Sequence, residues 1–289
     1  MIVIAAVLAP SRSPAGDGVA RSLPDSERLI QAPEGKRAFA GQIHGRKGID
    51  RLGVRLPSGV ARDEVLSVVS PALPGSVTLV GAVPWKGRPR HLVAIVCVGG
   101  EASQDRSVCE GGAAWVAVLQ RTDDGLQLVA RTSEPFVPVS DWSAFPDDGP
   151  ARSIIQRSAE GKDNQIVGLD LAPYRLFERE DPAIGVRSGL VEGYAGGFGY
   201  FESLHLFRRV GTRLEKVFSH PIYLLANSAG SWNEDGTREH VVSERRFSVS
   251  VVSKAQQDGS HDLVIKESGT GSLRFVAEWN GTTRQYLVR

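Results

Sequence analysis

The chain has 289 residues, of which 41% are hydrophobic and 23% are charged, and these fractions are typical of an ordinary globular protein rather than of a disordered or membrane-embedded one. Lys and Arg number 34 against 33 for Asp and Glu, so no net basic field would concentrate a nucleic acid or an anionic membrane. We therefore expect no nucleic-acid partner.

Residues 1–27 are predicted to form an apolar start followed by a flexible tether. Ile2 to Leu8 reads IVIAAVL, and the Pro/Gly/Ser-rich stretch PSRSPAGDG comes shortly after it. The apolar run resembles the central region of a secretory signal, although no Lys or Arg precedes it. It is also far too short to span a bilayer. A remnant of an export signal and a plain N-terminal strand are both open.

Residues 28–138 are predicted to form a first β half. Segments near its start, such as RAFAGQI and RLGVRL, are not assigned to a helix or a strand. From Asp63 onwards, five runs are rich in β-branched residues and bounded by Pro, Gly or Asp, which predicts five consecutive strands. These runs are DEVLSVVS, SVTLVGAV, HLVAIVCV, AAWVAVLQ and LQLVART.

Residues 139–164 interrupt this rhythm with prolines and a short stretch of helical character, and we interpret them as a connection. Residues 165–289 are predicted to form a second β half, because nearly every segment is strand-like and no window shows a clear helical period. The runs are QIVGLDLA, YRLFERE, AIGVRSG, YFESLHLFRR, RLEKVFS, HVVSERRFSVSVVS, DLVIKES, SLRFVAEW and RQYLVR.

Three parts of the chain share one pattern of strand, loop, strand, turn, strand. They start at HLVAIVC, AIGVRSG and DLVIKES, and each closes with a glycine-containing turn, at Gly125, Gly211 and Gly281. Glycine suits such turns because positive φ matches the twist of the flanking strands. The pattern predicts an all-β fold of repeated antiparallel strand units, either β-propeller-like or a large stacked β-sheet or sandwich. A generic hairpin pattern without a true repeat is the alternative.

Cys97 and Cys109 are the two cysteines of the chain. Cys97 ends one apolar run, Cys109 precedes another, and the intervening loop is polar. If the two runs pair as antiparallel strands, the thiols face each other, and a disulfide would contribute about 3 kcal/mol in the chain-entropy model. It would imply an oxidising compartment. A pair of buried free thiols is the alternative, since cysteine packs as a small hydrophobe.

The segment GYAGGFGYF concentrates glycine and aromatic residues, but it leads into a predicted strand. Phosphate binding needs such glycines before a helix, so we discount it here. A loop presenting aromatic side chains is suited to recognition, and the alternative is that these rings fold back over the sheet edge. The candidate binding residues are Tyr194, Phe198, Tyr200 and Trp232.

No motif assigns a catalytic residue, a cofactor or a metal site. The six histidines lack metal-ligand spacing, no serine elbow is present, and the paired acidic residues adjoin glycines, as in turns. His205 alternates with apolar neighbours, which indicates a residue on a strand face. Carboxylates from distant strands would leave no local signature, so a glycosidase stays open.

We therefore expect an exported, non-enzymatic β-scaffold binding protein, periplasmic or secreted, without cofactor and without a transmembrane segment. Its loops would engage another protein or a carbohydrate, inhibiting a partner protein or protecting against it. The first alternative is an extracytoplasmic hydrolase acting on carbohydrate. A structural protein of the envelope is the second alternative.

Overall fold

The computed structural model describes residues 18–44, 49–69, 76–102, 108–140, 165–194, 196–269 and 273–289, and over these ranges the predicted all-β class is confirmed. Helices are few there: α1 (Leu23–Ser26), α2 (Pro33–His44) and α3 (Arg62–Val69). The strands are β1 (Gly18–Ala20), β2 (Val77–Pro84), β3 (His91–Val98), β4 (Glu101–Ala102), β5 (Cys109–Glu110), β6 (Ala113–Thr122), β7 (Gly125–Arg131), β8 (Gln165–Tyr174), β9 (Ala183–Tyr194), β10 (Gly197–Val210), β11 (Arg213–Trp232), β12 (Arg238–Ala255), β13 (His261–Glu267), β14 (Arg274–Asn280) and β15 (Gln285–Val288).

Hydrogen bonds join all of these strands into one large mixed sheet that is not closed. Its main path runs β15-β14-β13-β12-β11-β10-β9-β8-β5-β4, and β1 pairs with β12. A branch of β2, β3, β6 and β7 joins β11, where Arg131 and Arg213 pair in parallel. Of the two predicted arrangements, the stacked sheet is the one observed.

The three predicted units are antiparallel meanders of β3-β6-β7, β9-β10-β11 and β13-β14-β15. Gly125 and Gly211 close the first two with φ of 118° and 60°, in agreement with the sequence argument. The third turn is longer, since Asn280 pairs with Gln285. There the positive φ, 55°, belongs to Arg284 rather than to Gly281.

The sheet folds over itself, so that two layers enclose separate apolar cores. The C-terminal meander packs over β9, β10 and β11 through residues such as Leu204, Ile222, Leu263 and Ile265. The β2-β3-β6-β7 branch packs over β8, β9 and β10 through Ile95, Val116, Ile184 and others. Both cores form because alternate residues of a strand face the same side of the sheet.

Two segments that the sequence analysis did not assign to helices are helical. The run DEVLSVVS, predicted as a strand, forms α3, in which Val65 and Val69 are buried one turn apart against the β2-β3-β6-β7 sheet. That spacing is the helical one, and it outweighs the β propensity of valine. RAFAGQI lies in α2, which covers one end of β10 and β11 with Phe39.

Four further expectations are either corrected by the structure or fall outside the described ranges. The segment YRLFERE is not a strand of its own: β8 ends at Tyr174 and a turn follows. The segment GYAGGFGYF, predicted as a loop, consists instead of the end of β9 and the start of β10, which pair directly. Most of the predicted connection 139–164, and the apolar start within residues 1–17, lie outside the described residues.

Candidate functional site

Cys97 and Cys109 form the predicted disulfide, with Cα atoms 5.9 Å apart. Both residues are buried in the core shared by the two sheet layers. Cys97 pairs with Ala114 across the β3-β6 ladder, whereas Cys109 lies on β5 opposite Ile166 of β8. The crosslink therefore ties the first meander to β5 and, through it, to β8, rather than bridging two facing residues of one hairpin.

The aromatic binding candidates occupy different environments. Phe198 is buried and meets Phe39 of α2 edge to face, with ring centroids 5.9 Å apart. Tyr200 is also buried, and its hydroxyl donates to Glu202 Oε1 at 2.6 Å. The side chain of Tyr194 lies outside what the structure describes. Trp232, in contrast, is 70% exposed.

Trp232 stands at the end of β11, on the hairpin that β11 forms with β12. The residues from Ser228 to Glu239, which we call the hairpin tip, include none that is buried. The Arg238 guanidinium carbon lies 5.3 Å from the centroid of the Trp232 ring, a cation–π distance. Asp235, in the turn, is ion-paired with Arg21 near β1. These contacts fix the tip while leaving the indole ring to solvent.

A cluster of charged side chains is buried beside α2. Glu202 is fully buried and accepts from Arg51 Nη1 at 2.8 Å and from Arg187 Nη1 at 3.2 Å. Burial alone raises the pKa of Glu202, but the Arg51 and Arg187 guanidiniums outweigh it, and the pKa is lowered. Arg187 is also bound by Asp170, through Nε at 2.9 Å and Nη2 at 2.7 Å.

The N-terminus of α2 is held by a second buried carboxylate, Glu244 of β12. It accepts from the backbone N–H groups of Gln31 at 2.6 Å and of Ala32 at 3.0 Å. The Tyr223 hydroxyl donates to Glu244 at 2.7 Å. Gly35 makes this approach feasible, because a Cβ there would overlap the Tyr223 hydroxyl. A negative charge is favourable at this position, where helix N–H groups lack intrahelical partners.

Next to these clusters lies a cleft of about 310 Å³, which we call the α2 cleft. Its polar walls include the carboxylates of Glu34 and Asp170 and the guanidiniums of Arg187 and Arg246. Its apolar side is formed by Leu204, Ile222, Phe247 and Val249, and the aromatic rings of Tyr174 and Tyr223 complete it. None of these residues is among the site residues predicted from the sequence.

His205, predicted to lie on a strand face, is fully buried on β10. Its Nε2 lies 2.7 Å from Ser188 Oγ and its Nδ1 lies 2.9 Å from Ser219 Oγ. A serine beside an imidazole is a component of nucleophilic catalysis, but here no solvent reaches the ring. Both ring nitrogens are used to hold neighbouring strands together.

No group of three or more His, Cys, Asp or Glu side chains in the described ranges would hold a metal ion. Among the helices described, none is long and apolar enough to cross a membrane. Comparison of the chain with protein-family models, with curated proteins and with solved structures found no match.

Proposed function

We propose that the protein is an exported, non-enzymatic binding protein whose hairpin tip engages a partner protein. The observation that carries this proposal is the 70% exposure of Trp232 on a hairpin tip that is braced by internal contacts. Burying an indole ring removes a large apolar surface from contact with water. Tryptophan and arginine are also enriched among the residues that dominate binding energies. Inhibition of the partner, or protection against it, is the expected consequence of such binding.

The bracing of the tip strengthens this proposal. Binding costs less when a recognition residue is already held in place. Arg238 stacks on Trp232, and a Cβ on Gly196 of the neighbouring β9-β10 turn would lie 2.9 Å from the Ala229 Cβ. The two turns are thus packed closely at the base of the tip, so Trp232 would be presented from a supported hairpin.

Site-specific photocrosslinking tests the proposal. A photoreactive phenylalanine analogue replaces the exposed Ser231, next to an intact Trp232, in one variant and Leu128 in a matched control, because Leu128 is an exposed apolar residue, 40% exposed, on β7. Both variants are expressed in the native host, and crosslinked products are identified by mass spectrometry. We expect one defined protein partner at position 231 and none at position 128. Equal crosslinking at both positions would refute tip-mediated recognition.

The export part of the proposal is supported by the buried Cys97–Cys109 disulfide, since such bonds persist in oxidising compartments. Thiol titration of unfolded protein, isolated from the native host without reductant and quenched with acid, tests it. We expect no alkylated thiol before reduction and two after it. Two thiols that react before reduction would contradict export.

The α2 cleft gives a specific reason to keep carbohydrate hydrolysis as a second candidate. It contains two carboxylates, Glu34 and Asp170, beside Tyr174 and Tyr223, and paired carboxylates carry out glycoside hydrolysis. Asp170 is bound by two nitrogens of Arg187, so this carboxylate is already engaged in an ion pair within the protein. Release of reducing sugar from a polysaccharide panel, abolished by Glu34→Gln, would support the hydrolase and overturn the non-enzymatic proposal.

A further inference from the structure

The α2 cleft has the dimensions and the mixed lining of a small-molecule site. Its volume of about 310 Å³ is at the lower end for ligand pockets, which combine an apolar surface with a few polar groups. Residues from α2 and from β8 to β12 line it, so several rigid elements fix its shape. This cleft is separate from the hairpin tip.

Glu34 is a polar group of the cleft whose hydrogen bonding within the described residues is incomplete. Its side chain is only 10% exposed, and its Oε1 lies 3.8 Å from Arg187 Nη1 and 3.6 Å from Arg246 Nη2. Both separations exceed hydrogen-bond distance. Its Oε2 is buried and has no hydrogen-bond partner among the residues described. The Glu34 carboxylate, whose Oε1 contacts two guanidiniums only beyond hydrogen-bond distance, can accept from a ligand that donates a hydrogen bond, above all a cationic one.

Arg246 offers the complementary group. Its side chain is 49% exposed, and the contact with Glu34 is its only ion pair within the described part of the chain. A guanidinium presents a fork of donors that matches a carboxylate. Arg187 differs, because Asp170 and Glu202 already occupy its nitrogens. Arg246 is therefore the cation of the cleft that keeps hydrogen-bond donors available for a ligand.

The balance of charge and the apolar side define the rest of the ligand. Two carboxylates and two guanidiniums line the cleft, so its formal charge is zero, and a ligand without net charge suits it. Leu204, Ile222, Phe247 and Val249 form the apolar side, which would receive a hydrocarbon group and exclude water from it.

We propose that the α2 cleft binds a free α-amino acid with an apolar side chain. Its ammonium group donates to Glu34, its carboxylate accepts from Arg246, and its side chain packs against the apolar side. The site does not depend on the function proposed for the hairpin tip.

Calorimetric titration of the full chain with L-leucine and with L-phenylalanine tests this proposal. We expect at least one of the two to bind, and we expect its N-acetyl and amide derivatives to bind about ten- to hundred-fold more weakly. Each derivative removes one of the two charges. Failure of both amino acids to bind at millimolar concentration, or unchanged binding of either derivative, would overturn the proposal.

Substitutions locate the binding in the cleft. Glu34→Gln and Arg246→Gln should each weaken amino-acid binding about ten-fold or more, while Glu278→Gln should leave it unchanged. Glu278 is the matched control because it forms an ion pair on β14, with Arg289 at 2.8 Å. Arg246 is half-exposed, so its substitution is expected to preserve folding, which circular dichroism verifies. Folded Arg246→Gln protein with unaltered affinity would contradict the assignment.

Discussion

The two sides of the β9-β10-β11 meander are stabilised by different physical means. On the side covered by the C-terminal meander, Phe201 and Leu224 pack against Leu263 and Ile265, and the contacts are apolar. On the side covered by α2, Tyr200 and Tyr223 form part of an apolar cluster, but their hydroxyls donate to buried carboxylates. One sheet thus carries an apolar core on one side and a charged one on the other.

This difference determines how each side responds to substitution. Truncation of a buried apolar side chain lowers the free energy of unfolding in proportion to the apolar surface that is lost and to the volume of the cavity that is left. Removal of one partner of a buried ion pair lowers the free energy of unfolding by a larger amount, because the remaining charge stays unpaired in a medium of low polarity. We therefore expect the α2 side, which supplies the charged groups of the α2 cleft, to be the less tolerant of the two.

The largest effect is expected for Glu202→Ala. This change leaves Arg51 and Arg187, whose side chains are only 20% and 21% exposed, without their shared carboxylate. We expect the free energy of unfolding in urea to fall by about 3–5 kcal/mol. The control is Glu278→Ala, which removes a more exposed ion pair and should cost less than about 1 kcal/mol. Similar losses for both variants would mean that burial does not distinguish the two pairs.

On the apolar side, Ile265→Ala is the corresponding test. Ile265 is fully buried on β13, and truncation to alanine should lower the free energy of unfolding by about 2–5 kcal/mol, depending on how far the cavity collapses. Ile265→Val should cost only about 0.5–1.5 kcal/mol. The same urea titrations measure both. A graded series here and an abrupt loss at Glu202 would confirm the contrast, whereas a larger loss for Ile265→Ala than for Glu202→Ala would reverse it.

The apolar side was also the more predictable one from sequence. The strands of the C-terminal meander and their turns follow from local alternation and from glycine and asparagine at the bends, as in DLVIKES and NGTT. Cys97 and Cys109 likewise lie close in sequence beside apolar runs. These signals act over a few residues, so a single sequence contains them in full.

The α2 side was not predictable by the same means. Arg51 and Glu202 are 151 residues apart in sequence, and no local pattern marks either as buried. Glu34 and Gly35 resemble an ordinary exposed helix start, and the sequence predicts no firm secondary structure over α2. A glycine directly after a glutamate in an otherwise helical segment was the one available signal, because glycine weakens a helix unless close packing requires it.

Gly35→Ala tests whether that close packing is real. A Cβ at this position would overlap the Tyr223 hydroxyl and lie 2.7 Å from Ile30 Cγ2, so α2 must shift. We expect a loss of about 1–3 kcal/mol in thermal or urea unfolding, despite the better helix propensity of alanine. Gly41, in the same helix, is exposed, and Gly41→Ala should instead stabilise the protein by about 0.5–1 kcal/mol.

A double variant isolates the contact. Tyr223→Phe removes the hydroxyl that the new methyl group would meet, so Gly35→Ala should cost less in a Tyr223→Phe background than in the native chain. Strict additivity of the two changes would show that the hydroxyl is not the obstacle, and would locate the strain at Ile30.

The smallest effect concerns Asp50, which fixes the segment that carries Arg51 into the charged cluster. Its carboxylate accepts from the backbone N–H groups of Val54 and Arg55, both at 2.9 Å. Burial raises the pKa of Asp50, but these backbone hydrogen bonds and the one from Gly53 outweigh it, so the pKa lies below its ordinary value of 3.8. Asp50→Asn loses the charge and one acceptor, and should cost about 1 kcal/mol at neutral pH.

The sign of the pH dependence follows from that lowered pKa. The folded protein holds the ionised form more strongly than the unfolded chain does, so this contribution is complete above pH 3.8 and is lost as the pH falls through the folded-state value. Thermal unfolding should therefore separate native and Asp50→Asn proteins at neutral pH and bring them together in acid. Asp123→Asn, at an exposed carboxylate, controls for the lost charge. A separation that stays constant into acid would mean that the carboxylate of Asp50 does not hold the segment of Arg51, and that Glu202 rather than Asp50 keeps Arg51 in the charged cluster.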